Sequence, residues 1–406
     1  MRSVWEKIRA SMQRSFPTLT HLWLEPKDRD QRVLLPRKFL GESTPRLREV
    51  FLRGISFPTP TLPAHLLSAS DLTNLEILEI PPTDYISPGA MVKGLARLTR
   101  LKALTIESRY PVPRAVQRLH APVTPALCLP ALFSFKFRGF CEYLEDLVAQ
   151  IDAPRVTFCD IWYFSQPMYQ VPQISRFLDR SEYLKPPWLT RALVEFVERW
   201  MSIELDVGDE QAQEEHSPGA LHLNIRIISE GMVREALHSI QVLHQLSVSL
   251  FNVVDLTIRG PMFSGPMVAG GLFFGGPLFG ELPPIGLPSG GPLFSGEPLL
   301  PGPPGRQDSI DHIEWQALLR PFTAVNTLRL RGELSENVVY ALEWVKGEMV
   351  AQVLPALHVL HLQNPSISLE RFISVRQNAG HPVVVNVRLP DPDPDEDDSG
   401  QEEFSE

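Results

Sequence analysis

The chain has 406 residues, 43% hydrophobic and 21% charged, the composition of a folded protein with ample material for a core. Its formal charge of −10 sits almost wholly at the end, where DPDPDEDDSGQEEFSE from Asp391 holds nine Asp or Glu and no Lys or Arg, leaving −1 for the rest. A near-neutral body excludes a general affinity for nucleic acid or an anionic membrane, both of which need a basic excess.

From the start, Ser3 to Glu6 has capping-box spacing, and Val4, Trp5, Ile8 and Met12 recur at helical intervals. Residues 1–15 are therefore expected to form a helix that caps the first repeat. No apolar run of a signal peptide precedes it, and no N-x-S/T acceptor survives once Asn364 is discounted for Pro365. Cys128, Cys141 and Cys159 are odd in number and widely spaced without a C-x-x-C, so they read as small core residues rather than a disulfide framework. The expected location is cytoplasmic or nuclear.

Residues 16–259 carry a recurring phrase, L-x-x-L-x-L followed by a turn. Copies are LTHLWL from Leu19, LREVFL from Leu47, LEILEI from Leu75, LKALTI from Leu101 and LFSFKF from Leu132, with VNTLRL from Val325 and LHVLHL from Leu357 further on. The spacing fits leucine-rich repeats, in which positions one, four and six enter a shared core while three and five face solvent. One such unit cannot bury its own apolar face, whereas a stack can. Between strands, Ser87-Pro88 starts a helix, and YLEDLVAQI from Tyr143 and VPQISRFLDRSEYL from Val171 predict two more. VTFCDI from Val156, RALVEF from Arg191, ALHLNI from Ala220 and VDLTI near Val254 extend the series as degenerate copies. The expected fold is α/β: a leucine-rich-repeat solenoid with irregular repeats, a curved and mostly parallel sheet on its concave face, and helices and irregular segments on its convex face.

Residues 260–307 break the pattern. From Gly260 to Gly305 the chain holds 24 Gly or Pro among 46 residues, which no helix or ordinary strand survives, and a disordered insertion is expected. Nine of the twenty residues in its uncharged window Pro261–Gly280 are Gly or Pro, so it does not read as a membrane span. Repeats resume over residues 308–390: IDHIEWQALLRPF and SENVVYALEWVKGEMVAQVL predict helices before two strands, and SLERFISVRQNAG and HPVVVNV a closing helix and strand. Residues 391–406 form the acidic tail, expected to be disordered because like charges repel.

The phrases LTHLWLEP, RLREVFLRGISFP, PPTDYISPGAMVKGLARLTRLKALTI, YLEDLVAQIDAP and LLRPFTAVNTLRL resemble the large F-box and leucine-rich-repeat families of mushroom-forming fungi. That resemblance implies a receptor in a cullin-based ubiquitin ligase, whose F-box binds a Skp-type adaptor and whose repeats bind the protein to be ubiquitinated. Only 15 residues precede the first repeat here, and Leu35-Pro36 lies inside the repeats without an F-box continuation. A Skp-type adaptor is thus an expected partner only if an F-box lies upstream. The alternatives are a free-standing leucine-rich-repeat binding protein and, last, an enzyme or enzyme inhibitor.

No nucleophile elbow, phosphate loop, H-E-x-x-H or dinucleotide fingerprint occurs, and His358 and His361 alternate faces of a strand, so no catalytic, cofactor or metal residue is assigned. Carboxylates such as Glu145 and Asp146 are expected on solvated helix surfaces. Position five of the repeats gives Trp23, Phe51, Glu79, Lys136 and Arg329, and the residue after the last core position gives Arg53, Arg138 and Arg331. Aromatics beside arginines dominate protein interfaces, so these eight residues are the candidate contacts for an unknown protein partner on the concave face of a monomer. The alternative is that Trp23 and Phe51 pack on the N-terminal helix or on each other.

Overall fold

Among the described residues, four short strands form two separate parallel pairs, 33–34 with 55–56 and 127–128 with 151–152, and alternation of apolar and polar residues sets the thirteen strands of the main sheet. They are β1 (His21–Leu24), β2 (Glu49–Arg53), β3 (Asn74–Ile80), β4 (Ala103–Ser108), β5 (Ser134–Gly139), β6 (Phe158–Tyr163) and β7 (Arg191–Val197). There follow β8 (Trp200–Asp206), β9 (His222–Ile228), β10 (Asp255–Arg259), β11 (Thr327–Arg331), β12 (Val359–Gln363) and β13 (Val384–Arg388). The computed structural model describes residues 12–27, 33–59, 61–109, 127–183, 190–206, 222–228, 242–260, 312–343, 353–363 and 369–388, apart from short gaps within them. Of the expected N-terminal helix over residues 1–15 only 12–15 are described, and they form a turn and irregular chain, not helix; the Gly/Pro-rich insertion beyond Gly260 and the acidic tail lie outside these residues. The chain separates into two units, residues 1–261 with 310–406 and residues 262–309, and only the first is described.

All thirteen strands join one sheet in the order β1-β2-β3-β4-β5-β6-β9-β8-β7-β10-β11-β12-β13. Every neighbouring pair is parallel except those of β8, which runs antiparallel to both β7 and β9. The protein is thus mixed α/β with a large, mostly parallel sheet. Six α-helices are found among the described residues: α1 (Pro88–Leu95), α2 (Cys141–Val148), α3 (Pro172–Arg180), α4 (His312–Leu319), α5 (Leu334–Glu343) and α6 (Glu370–Asn378). α1 begins as its sequence predicts, with Pro88 in the first turn and the Ser87 hydroxyl accepting from the Ala90 amide at 3.3 Å. α6 ends at Gly380 with φ +80°, where the amides of Gly380 and His381 reach the carbonyls of Gln377 and Arg376, the bond pattern of a left-handed helix stop.

One peptide geometry recurs ahead of the parallel strands. The amides of Leu47, Leu72, Leu101, Leu132 and Leu357 each bond the carbonyl three residues back, at 3.0 to 3.2 Å. The carbonyl of the residue after the leucine then accepts from the start of the neighbouring strand, as that of Thr73 does from the amides of Lys102 and Ala103. Inward residues stay in register, so Leu22, Val50, Leu75, Leu104, Phe135 and Cys159 form a buried row. Met91 and Leu95 of α1, Leu144 and Leu147 of α2, Phe177 of α3, Trp315 of α4, Val339 of α5 and Phe372 of α6 close over that face in one continuous core.

The register corrects three expectations. Leu75 pairs with Val50, so the first apolar position of the third copy is Leu72 and not Leu75. Ala192 pairs with Leu256, so the frame read from Arg191 is displaced by two residues. The strand β8 lies outside the expected series, and it reverses the order of β7 and β9 so that neither copy follows its predecessor in the sheet. Its sequence WMSIELD alternates cleanly, but without the L-x-x-L spacing it carries no repeat signature.

Buried polar side chains bind adjacent layers together. Glu145 on α2 is only 9% exposed, against the expectation of a solvated surface carboxylate. Its two oxygens accept from the amides of Gln173 at 2.7 Å and Ile174 at 2.9 Å, which are donors at the start of α3 without a partner inside that helix. In the reverse direction, Arg180 at the end of α3 donates to the carbonyls of Val148 and Ile151 at 3.1 and 2.8 Å. Arg376 on α6 does the same for Leu354 and Leu357 at 3.0 and 3.3 Å. Cys141 and Cys159 are buried as expected, whereas Cys128 is exposed.

Candidate functional site

The face of the sheet opposite the helices carries the outward residues of every strand. Trp23 is 68% exposed and stacks on Phe51, with ring centroids 3.9 Å apart and planes 20° from parallel, because the register sets β1 and β2 side by side at these positions. The two aromatics therefore do pack on each other, yet the indole keeps most of its surface in solvent. Arg53 lies between Glu25 at 3.2 Å and Glu79 at 3.0 Å. Burial opposes its charge, but Glu79 and then Glu25 outweigh it and hold its pKa above the usual value.

Glu79 does not share the row of Phe51. The register places Glu76 there, and Glu79 sits at φ +53° where the pairing of β3 with β4 shifts. Lys136 and Arg138 lie on β5; with strands ~4.8 Å apart, three steps put them ~14 Å from Arg53. Arg329 and Arg331 lie on β11, six further steps or ~29 Å along the sheet. Arg329 pairs with Asp255 and Arg331 is exposed at its strand end. The eight candidates are thus three groups along one face and not one site.

Sequence reasoning reached Lys136 and Arg138 but missed their neighbours Trp162, Arg226 and Trp200 in the richest part of this face, where β5, β6, β9 and β8 adjoin. In register across those strands, Arg138 neighbours Trp162, Trp162 neighbours Arg226, and Arg226 neighbours Ser202. The guanidinium of Arg138 lies 5.3 Å from the Trp162 ring centroid and that of Arg226 only 4.3 Å, while Arg226 is also 5.6 Å from the Trp200 ring. One rank along, Lys136, Asp160, Asn224 and Glu204 are aligned, with the Lys136 ammonium 5.3 Å from the Phe158 ring and the Trp162 Nε1 donating to Asp160 at 3.1 Å. Phe158 stacks on His222, and His222 faces Glu204 at 3.4 Å.

No known family model and no curated protein matches this chain. What the face can do is therefore argued from its own chemistry. Arg138 is held by Glu107 at 3.0 Å, and Arg259 by Glu195 at 3.1 Å, so both charges are met within the sheet. Asp206 beside His222 is pushed up to about 6 by burial, with Glu204 and Asp255 adding to the effect against Arg191. Burial pushes His222 down, against the pull of Glu204 and Asp160. Among the described residues no three His, Cys, Asp or Glu gather as a metal site needs, and no helix is long and apolar enough to cross a membrane. The signal for the missed cluster was present: Trp162 and Arg226 follow the last core residue of VTFCDI and ALHLNI, the position that had supplied Arg53 and Arg138.

Proposed function

We propose that the protein is a non-enzymatic interaction scaffold, a leucine-rich-repeat solenoid whose open sheet face binds a protein partner. The observation that carries this reading is the stacked Trp23–Phe51 pair, an indole 68% exposed in the middle of a strand on the face opposite the helices. Exposed aromatics beside arginines are the residue types that anchor interfaces. The recurring turn ahead of the parallel strands and the in-register inward rows support the repeat reading. By its resemblance, the bound protein is one delivered for ubiquitination; recovery of a Skp-type adaptor with the natural full-length protein tests that part. For the binding face, Trp23→Ala with Phe51→Ala is expected to leave the melting temperature within a few degrees while abolishing partner binding. Coincident loss of folding would assign the pair to stability and remove it from the interface.

A further inference from the structure

Within that reading of the open face, we propose that Arg226 is a carboxylate-binding anchor. The partner it fits is a protein that docks an extended segment with one Asp or Glu side chain among aromatic or apolar residues.

Arg226 is held between Trp162 and Trp200, with its guanidinium carbon 4.3 and 5.6 Å from their ring centroids. Stacking occupies the flat faces of a guanidinium and leaves its in-plane N–H fork, whose geometry matches a carboxylate. Arg53, Arg138 and Arg259 each have a carboxylate at 3.0 to 3.2 Å, whereas among the described residues Arg226 has none within ion-pair distance. Its Nε is buried without a hydrogen-bond partner, as are those of Arg138 and Arg259, so the missing carboxylate is what sets Arg226 apart. Lys136 is exposed two strands over, its ammonium 5.3 Å from the Phe158 ring centroid. A guanidinium walled by two indoles and, among the described residues, without a carboxylate thus combines the charge and the apolar flanks that a buried acidic side chain needs.

The surroundings favour one carboxylate over a polyanion. Asp160 and Glu204 flank Asn224 on either side in register, so a phosphate chain laid across the face would meet negative charge on both sides of the anchor. A single acidic side chain can pair with Arg226 without lying along the row of Asp160, Asn224 and Glu204.

The test uses the full chain and a displayed library of random dodecapeptides, from which the tightest binder is synthesised. Its affinity is expected to fall about tenfold to a hundredfold when its Glu or Asp is changed to Gln or Asn, and equally against Arg226→Gln. Arg226→Lys should lose less. The peptide substitution leaves the protein untouched, so a fold defect in Arg226→Gln does not remove the test. A binder that perturbs the Trp162 and Trp200 indole signals yet ignores its own Glu→Gln change overturns the anchor while the open-face reading stands. A binder that loses affinity on C-terminal amidation instead assigns the site to chain termini and overturns the side-chain proposal. Displacement by oligothymidylate with steep salt dependence overturns it in favour of a polyanion. Absence of any peptide that perturbs the open-face indoles contradicts both the anchor and the interaction reading.

Discussion

Glu145 shows how one buried side chain can hold two elements together. It lies on α2 but caps the start of α3, so Glu145→Ala leaves two helix amides unbonded and is expected to cost about 1–2 kcal/mol, measured by chemical denaturation at neutral pH. Burial outweighs those two bonds and pushes its pKa up to about 7, above the 4.5 of a free carboxyl. Between those values the folded chain binds a proton that the unfolded chain has released, so its contribution to stability falls as pH rises through that window. Glu145→Gln is expected to flatten that part of the stability profile; an unchanged slope would place the carboxyl in solvent. Arg376 acts on carbonyls instead of amides and serves a turn in which Leu354 holds φ +51°. Arg376→Leu strands these acceptors and is expected to cost about 1–3 kcal/mol, again read from denaturation.

The strands and helices were legible wherever the local pattern is self-contained. Ser87-Pro88, the Gly380 stop and the L-x-x-L-x-L phrases around Leu19, Leu47, Leu101 and Leu132 each determine their element through neighbours in sequence. Three things were not legible because they depend on contacts between elements distant in sequence. Leu72, Leu75 and Leu78 offer two frames of the same phrase, and only the register with Val50 selects between them. Bonds made by Glu145 and Arg180 cross between helices and leave no local mark. The insertion of β8 depends on which strands adjoin, and a repeat template assumes sequence order. Cysteine pairs test that order in a Cys128→Ser background. Asn224→Cys with Glu204→Cys, registered partners, should form a disulfide. Asp160→Cys with Leu193→Cys should not, since three strand steps separate them by ~14 Å. The opposite result would restore sequence order to β6 and β7.

At the scale of the molecule, one sheet carries a core on one face and the aromatic and charged residues on the other. Since residues 262–309 form a separate unit, replacing them with a flexible Gly-Ser linker should leave the melting temperature within a few degrees. A fall of ten degrees or more would make that segment part of the core. Division of labour between faces was partly legible: Trp23, Phe51, Lys136 and Arg138 point outward as expected, while the Trp162, Arg226 and Trp200 cluster depends on β9 and β8 lying beside β6. Hydroxyl-radical footprinting of the full chain, alone and with its captured partner, tests the claim that the open face does the binding. Protection is expected at Trp23, Trp162 and Trp200, with Ile313 and Tyr340, exposed on α4 and α5, labelled equally in both states. Protection confined to Ile313 and Tyr340 would put the partner on the helices and contradict the account.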